Sequence, residues 1–267
     1  HGVRMDVKEA AIEYLPEAVP QVRDDDVPPG YKRTEVGVVP SDWQLLQVAD
    51  FTKRHKQGFY TKENYVESGI RLVRITDLLG DDLDYDAMPR LNVTPELIKQ
   101  FKVDDGDFLF ARSGAIGRYG IVKKRTRAIF GSYIIRFVFD QATVSNSYFG
   151  FAYQLDVVAK QLLAITQGSS NININAENIK ALIIAVPPTL AEQRAIATVL
   201  SDADALIAAL QRLIAKKRAI KQGAMQILLT GRQRLPGFTG EWETKSFDDV
   251  LIRLNLKSNQ IKADGYE

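Results

Sequence analysis

The sequence contains no cysteine and only two histidines, His1 and His55. Disulfides and thiolate metal sites are therefore excluded, and an imidazole zinc site would lack ligands. No apolar run reaches the length that crosses a bilayer, and no secretory leader opens the chain, so a cytoplasmic protein is expected. His1–Arg4, ahead of Met5, read as a tag remnant. No metal or nucleophile constellation stands out, so a nuclease or other enzyme is not expected. What remains is ordinary for a globular protein: 45% hydrophobic and 25% charged residues over 267 positions, enough for one or two domains. The net charge is only +2, but residues 1–30 hold seven acids against three bases, so the remainder is about +6 by subtraction.

Between Thr189 and Gly231 proline is absent and Gly223 is the only glycine. Thr189-Leu190-Ala191-Glu192 has the form of a capping box, with Pro187-Pro188 as a strand-to-helix hinge before it and Gly231 placed to end a helix in left-handed geometry. About 40 residues at 1.5 Å each predict a rod of about 60 Å. Val199, Leu206, Leu213, Ile220 and Ile227 recur every seven residues. Ile196, Ala203, Leu210, Lys217 and Ala224 make a second row, and Leu200, Ile207, Ile214 and Leu228 widen the stripe. Heptad spacing calls for a second long helix, in this chain or another.

Residues 1–30 read as an acidic appendage and linker, with a short amphipathic helix near Val7–Leu15. Residues 31–188 read as a mixed α/β domain, 189–231 as the long helix, and 232–267 as the start of something new. Strands are expected at Ile70–Ile75, Phe108–Ala111, Gly120–Val122, Ala128–Phe130, Tyr133–Phe139 and Ala181–Val186, and helices at Trp43–Phe51, Pro95–Phe101 and Ser147–Ile165. The new segment is a repeat. Gly37 through Trp43, followed by Val48-Ala49-Asp50-Phe51, matches Gly237 through Trp242, followed by Phe247-Asp248-Asp249-Val250, at an offset of 199 residues.

No acidic residue occurs from Phe108 to Phe139, where Arg112, Arg118, Lys123, Lys124, Arg125, Arg127 and Arg136 fall among Gly114, Gly117, Gly120 and Gly131 and the aromatics Tyr119, Phe130 and Tyr133. Cations, glycine turns and aromatics together suit a phosphate backbone, although a solvated basic face is the plainer alternative. Arg136, inside an apolar run, reads as structural. A second cluster runs Lys53-Arg54-His55-Lys56-Gln57 and on to Phe59-Tyr60. His55, among cations with no carboxylate nearby, reads as a surface or DNA-facing residue rather than a base. Candidate DNA contacts are Lys53, Arg54, Lys56, Arg74, Arg112, Arg118, Lys123, Lys124 and Arg125. The glycines of Gly114-x-x-Gly117-x-x-Gly120 lack the order of a nucleotide-binding loop. Asn171, Asn173, Asn175 and Asn178 read as turn and cap residues.

Several segments together carry a resemblance: Trp43 after Gly37-x-x-Pro40, Gly69–Leu78, Gly106–Gly114 with Ile116-Gly117-Arg118, Gln167-Gly168-Ser169, and Pro187-Pro188-Thr189-Leu190-Ala191-Glu192-Gln193-Arg194. The last is the most specific. The chain resembles the DNA specificity (S) subunits of type I restriction–modification systems over residues 31–267. That resemblance implies an α/β (α+β) target recognition domain followed by a long helix that pairs as an antiparallel coiled coil. It implies double-stranded DNA, methyltransferase (M) subunits and motor–nuclease (R) subunits as partners, and no catalysis in this chain. No cofactor is expected here; S-adenosylmethionine is expected in the methyltransferase subunit. The second recognition domain stops short, and two outcomes are expected from that: a half-subunit that forms a homodimer through Val199, Ala203, Leu206, Leu210, Leu213, Ile220 and Ile227, or a fragment of a longer chain whose other half holds the partner helix. The competing expectation is a coiled-coil adaptor with a protein-binding head and no DNA contact.

Overall fold

Ile134–Phe139 has no polar alternation apart from Arg136, which is the pattern of a strand buried on both faces. A computed structural model of the chain, described over residues 27–115, 117–124, 126–166 and 173–250, shows why. This strand, β10, lies between β4 (Thr52–Gln57) and β7 (Phe108–Ala111), and β8 (Tyr119–Ile121) completes an antiparallel sheet of order β4-β10-β7-β8. A second sheet places β5 (Ile70–Val73) between β6 (Arg90–Leu91) and, in parallel, β9 (Ala128–Phe130). A hairpin of β1 (Tyr31–Thr34) and β2 (Gly37–Pro40) precedes them, and β3 (Gln44–Gln47) pairs with β11 (Ile183–Val186).

The helices are α1 (Pro95–Phe101), α2 (Asn146–Tyr153), α3 (Asp156–Thr166), α4 (Ala176–Lys180), α5 (Leu190–Leu228) and α6 (Phe247–Val250). Thr94 caps α1, its hydroxyl accepting from Leu97 N at 3.4 Å. One face of the β10 sheet packs on α2 through an aromatic cluster. Phe108, Phe110, Phe137, Phe139 and Phe149 are all buried, and Phe108 lies 4.6 Å from Phe110 and 5.1 Å from Phe149 between ring centroids. Val73, Leu109, Val122, Phe130 and Ile134 form a second cluster.

Two expected helices are corrected. Trp43–Phe51 is not a helix: it is β3 followed by a 3-10 turn, Val48–Phe51. The pairing of β3 with β11 is remote in sequence and outweighs local preference, and the Asp50 carboxylate accepts from Gln47 N at 2.8 Å to close the turn. Ser147–Ile165 is two helices, α2 and α3, broken at Gln154-Leu155. The Gln154 amide there donates to the Tyr119 hydroxyl at 2.9 Å, and Asp156 opens α3 where an acid is favoured. Strand ends also shift: Arg74 begins a 3-10 turn at Ile75–Asp77 instead of continuing β5, and β11 starts at Ile183.

The long helix forms as expected, 39 residues from Leu190 to Leu228. Thr189 Oγ1 accepts from Glu192 N at 3.2 Å, while the Glu192 carboxylate accepts from the Trp43 indole at 3.2 Å. Gly231, at φ +69°, ends the helix. The described chain divides into two compact units, with the break between Ala203 and Asp204 inside α5. In the first, Gln193 and Ala197 are buried and Ile196 packs on the aromatic core. The expected second heptad row therefore begins after Ile196. In the second, Trp242 lies against Gly231, whose glycine leaves the space: a Cβ there would fall 2.6 Å from the indole nitrogen.

The internal repeat has a structural counterpart. The Asp249 carboxylate accepts from Ser246 N at 2.9 Å, the same bond that Asp50 makes with Gln47. The partners differ. Val48 and Phe51 are 0% and 1% exposed, whereas their counterparts Phe247 and Val250 are 80% and 59% exposed. The appendage helix near Val7–Leu15 and the segment Gln167–Asn171 lie outside the described residues.

Candidate nucleic-acid interface

Strand direction sorts the candidate residues into two groups. In the β4-β10-β7-β8 sheet, the end of β4, the start of β10, the end of β7 and the start of β8 share one edge. Residues beyond that edge are Gly58–Tyr65, Ser132-Tyr133 and Arg112–Arg118. The parallel pair β5–β9 ends there too, because Gly131 N donates to Val73 O at 3.0 Å, and this brings in Arg74. Arg118 Nη1 reaches Ile75 O at 3.4 Å across the same end. Lys53 and Arg54, at the start of β4, and Lys123 and Lys124, beyond the end of β8, belong to the opposite edge.

Two glycines allow the first edge to close. Phe59 N donates to Phe130 O at 2.9 Å, so the chain after β4 runs directly over the Gly131 turn. A Cβ at Gly58 would sit 2.1 Å from Gly131 O, and that neighbour is backbone that cannot rotate away. Gly58→Ala is therefore expected to cost about 2 kcal/mol or more and lower the midpoint of thermal unfolding. An unchanged midpoint would show that the two loops do not approach this closely.

The cations differ in how far they are engaged. Arg74 forks onto Asp77, Nε to Oδ2 at 3.1 Å and Nη2 to Oδ1 at 2.8 Å, and Nη2 also donates to Ala87 O at 2.8 Å. The hydrogen bond to Asp77 holds the guanidinium above its ordinary pKa against the opposing effect of burial, and Tyr65 adds to it. Arg112 faces the other side of the edge, with His55, Gln57 and Asn175, around a recess of about 320 Å³. Its Nε is buried without a hydrogen-bond partner. Arg118 is exposed.

At the opposite edge Lys123 pairs with Asp81, Lys124 lies 5.5 Å from the centre of the Tyr85 ring, and Lys53 pairs with Asp140 at 2.9 Å. The hydrogen bond from Lys53 holds the Asp140 carboxyl below its usual range. Lys56 donates to Gln100 O at 3.0 Å with its ammonium 4.2 Å from the centre of the Phe101 ring. Arg125 lies outside the described residues.

Arg136 is structural: 11% of its side chain is exposed, it donates to Lys102 O at 2.6 Å, and it lies 3.5 Å from Asp107. Burial pushes the Asp107 carboxyl above its ordinary pKa. His55 stacks on Phe137 at 5.4 Å, with Nε2 3.9 Å from Glu177. Asn175 and Asn178 cap α4 reciprocally, at 2.9 and 3.1 Å. Of the aromatics in the basic stretch, Tyr119 and Phe130 are buried in the core and only Tyr133 is exposed. Tyr65 was not singled out from the sequence. It sits in a polar stretch without periodicity, and only the tertiary fold places it around the same cavity as Tyr133.

Among the described residues no cluster of three or more His, Asp or Glu is placed to hold a metal ion, and no helix is long and apolar enough to cross a membrane.

Residues 40–218 match the sequence model of a family described as the type I restriction modification DNA specificity domain. A Methanocaldococcus jannaschii protein named type I restriction enzyme MjaVIII specificity subunit is 23% identical over 216 residues, 77% of this chain and 49% of the relative. Another protein of that organism, assigned as the MjaX specificity subunit, is 26% identical over 230 residues, 81% of this chain and 50% of the relative. The chain thus spans about half the length of the curated relatives it matches. A chain from a structure of type I R-M complex assembly and conformational transition superposes with a TM-score of 0.54 at 18% identity, covering 70% of this chain and 45% of that one. The fold described above is therefore shared with that chain. With the family model matched over more than half of its length, the chain belongs to the type I restriction modification DNA specificity domain family.

Proposed function

We propose that this chain is the DNA-recognition subunit of a type I restriction–modification complex. It reads duplex DNA with the first unit and leaves chemistry to its partners. The observation that carries the reading is the convergence, in a chain of this family, of Arg74, Arg112, Arg118 and three exposed tyrosines on one edge of the domain. The relatives it matches are named specificity subunits, which supports methyltransferase and motor–nuclease subunits as partners. S-adenosylmethionine in the former and action in the cytoplasm belong to the same proposal.

Two copies pair through α5 as antiparallel helices. Val199, Leu206, Leu210, Leu213, Ile220 and Ile227 are 42–69% exposed, which is unfavourable for a row of apolar side chains left in water. Ala203 is exposed between them and small enough to let a partner helix approach. A rod of about 60 Å exceeds one turn of DNA, roughly 34–36 Å, so two reading units bind half-sites separated by a gap. Twofold symmetry makes the site an interrupted palindrome.

The test is enrichment of duplexes from a randomised pool by the chain together with methyltransferase subunits. Two inverted, identical half-sites at fixed spacing are expected. No enrichment, or two unrelated half-sites, would overturn the reading.

The two groups of cations give a second test. Arg112→Ala with Arg118→Ala is expected to weaken binding to all sequences and to lower the dependence of log K on log salt by up to about 2, one phosphate contact per cation. Lys123→Ala with Lys124→Ala is expected to change it less, because both lie at the opposite edge of the sheet and Lys123 is already paired with Asp81. Equal slopes in both variants and the unaltered chain would remove these residues from the interface.

A further inference from the structure

Tyr60, Tyr65 and Tyr133 are 63%, 59% and 60% exposed and rim a single cleft of about 450 Å³ at the loop edge. The floor is apolar, with Leu72 and Ile134 both buried. The loops are held in place from below. Gly58 N donates to Ile134 O at 3.0 Å and Gly131 N to Val73 O at 3.0 Å, so the backbone under two of the tyrosines is tied to the strands. Three large amphipathic rings kept in water around one cavity are unfavourable without an occupant.

The charge of the cleft narrows what the occupant is. Arg74 lines it, but both oxygens of Asp77 and the Ala87 carbonyl already take its guanidinium. Lys62 and Glu63 on the rim offset each other. A phosphate needs uncompensated cations or aimed backbone N–H groups, and the cleft supplies no net positive charge. Aromatic faces, phenolic hydroxyls and an apolar floor instead match a nucleobase. Ring faces cover a thymine methyl or another apolar part of a base edge in the duplex, and hydroxyls meet base-edge donors and acceptors.

We propose that the cleft rimmed by Tyr60, Tyr65 and Tyr133 is where this chain reads nucleobases, while the neighbouring Arg112 and Arg118 hold phosphates. The assignment rests on the DNA-recognition reading above and adds the residues that set specificity, separating them from those that set affinity.

The experiment uses the full chain with methyltransferase subunits and two probes: the duplex enriched from the randomised pool and a scrambled duplex of equal length. Tyr60→Ala/Tyr65→Ala/Tyr133→Ala is expected to lose roughly 100-fold in affinity for the enriched duplex. Affinity for the scrambled duplex and the salt dependence stay as they were, because no charge is removed. The same three positions changed to Phe locate the contact: retained discrimination assigns it to the ring faces, and lost discrimination to the hydroxyls. Both results support base contact.

An alanine variant that keeps the full ratio between the two duplexes would overturn the proposal. So would one that loses affinity equally for both with a reduced salt slope, the signature of phosphate contact. If the unaltered chain enriches no duplex, the recognition reading fails and takes this one with it. If the unaltered chain discriminates and the variant does too, only the cleft is wrongly assigned. Because the three side chains are exposed, thermal unfolding of the variant is expected to follow the parent and to separate lost contact from lost fold.

Discussion

Replacing Leu206 and Leu213 with aspartate is expected to reduce the species in solution from twice the 29.9 kDa of one chain to that of a single chain. The two leucines are 61% and 49% exposed one heptad apart, midway along a 39-residue helix. Each buries about 1.5–3 kcal/mol of apolar contact when a partner helix covers it. Two copies carry both, so about 6 kcal/mol or more is lost before the cost of desolvating four carboxylates. That is at least a 10⁴-fold weakening of the dimer on the scale of about 1.4 kcal/mol per tenfold. Folding of the first unit is expected to persist, because neither residue belongs to its core. Sedimentation equilibrium of the variant and parent decides the matter. A variant that still sediments as a dimer would place the contact on another face of α5, and a parent that is monomeric would remove the paired-helix reading.

Gln193→Ala is expected to lower stability by about 3 kcal/mol, a large fraction of what holds a domain of this size. Gln193 is 1% exposed, and its amide joins three segments at the start of the long helix. Oε1 accepts from Ser145 N at 2.8 Å, and Nε2 donates to Thr143 O at 3.1 Å and Pro187 O at 3.2 Å. Truncation leaves one buried N–H and two carbonyls without these partners, at about 1–3 kcal/mol for each unsatisfied group, partly relieved where water enters. Gln193→Glu is expected to be no better, because a carboxylate presents oxygens to two carbonyl oxygens where the amide presented N–H. Chemical denaturation reads both variants directly. Since Ser145 precedes α2 and Pro187 follows β11, the bonds also tie the first turns of α5 to the rest of the first unit. A Gln193→Ala protein as stable as the parent would mean that this junction is hydrated and that the start of α5 is anchored by Ile196, Ala197 and the bond from Trp43 to Glu192.

Much of the architecture was legible in the residues taken in order. The long helix had every local signal in agreement: a cap at Thr189, no proline, a heptad stripe and a terminating Gly231. Such a segment needs no distant partner to declare itself, and it runs from Leu190 to Leu228 as expected. The apolar strands around Phe108, Ala128 and Ile134, the last interrupted only by Arg136, were likewise readable, because burial on both faces leaves no polar alternation. The repeat of Trp43 and Asp50 as Trp242 and Asp249 was visible as letters and returned as the same side-chain bond.

Local reading failed where a remote partner decided the outcome. Gln44–Gln47 became a strand because β11, well over a hundred residues further on, supplied the ladder. The basic stretch looked continuous from Arg112 to Lys124, yet reversal of direction between β7 and β8 sends its two ends to opposite edges of the sheet. The site is thus a product of the fold. A single chain order carried the cations, the tyrosines and the heptad seam. Only antiparallel pairing and the close passage of Gly58 over Gly131 brought Tyr60, Tyr65 and Tyr133 around one cleft, because such contacts depend on strand geometry that no local window contains.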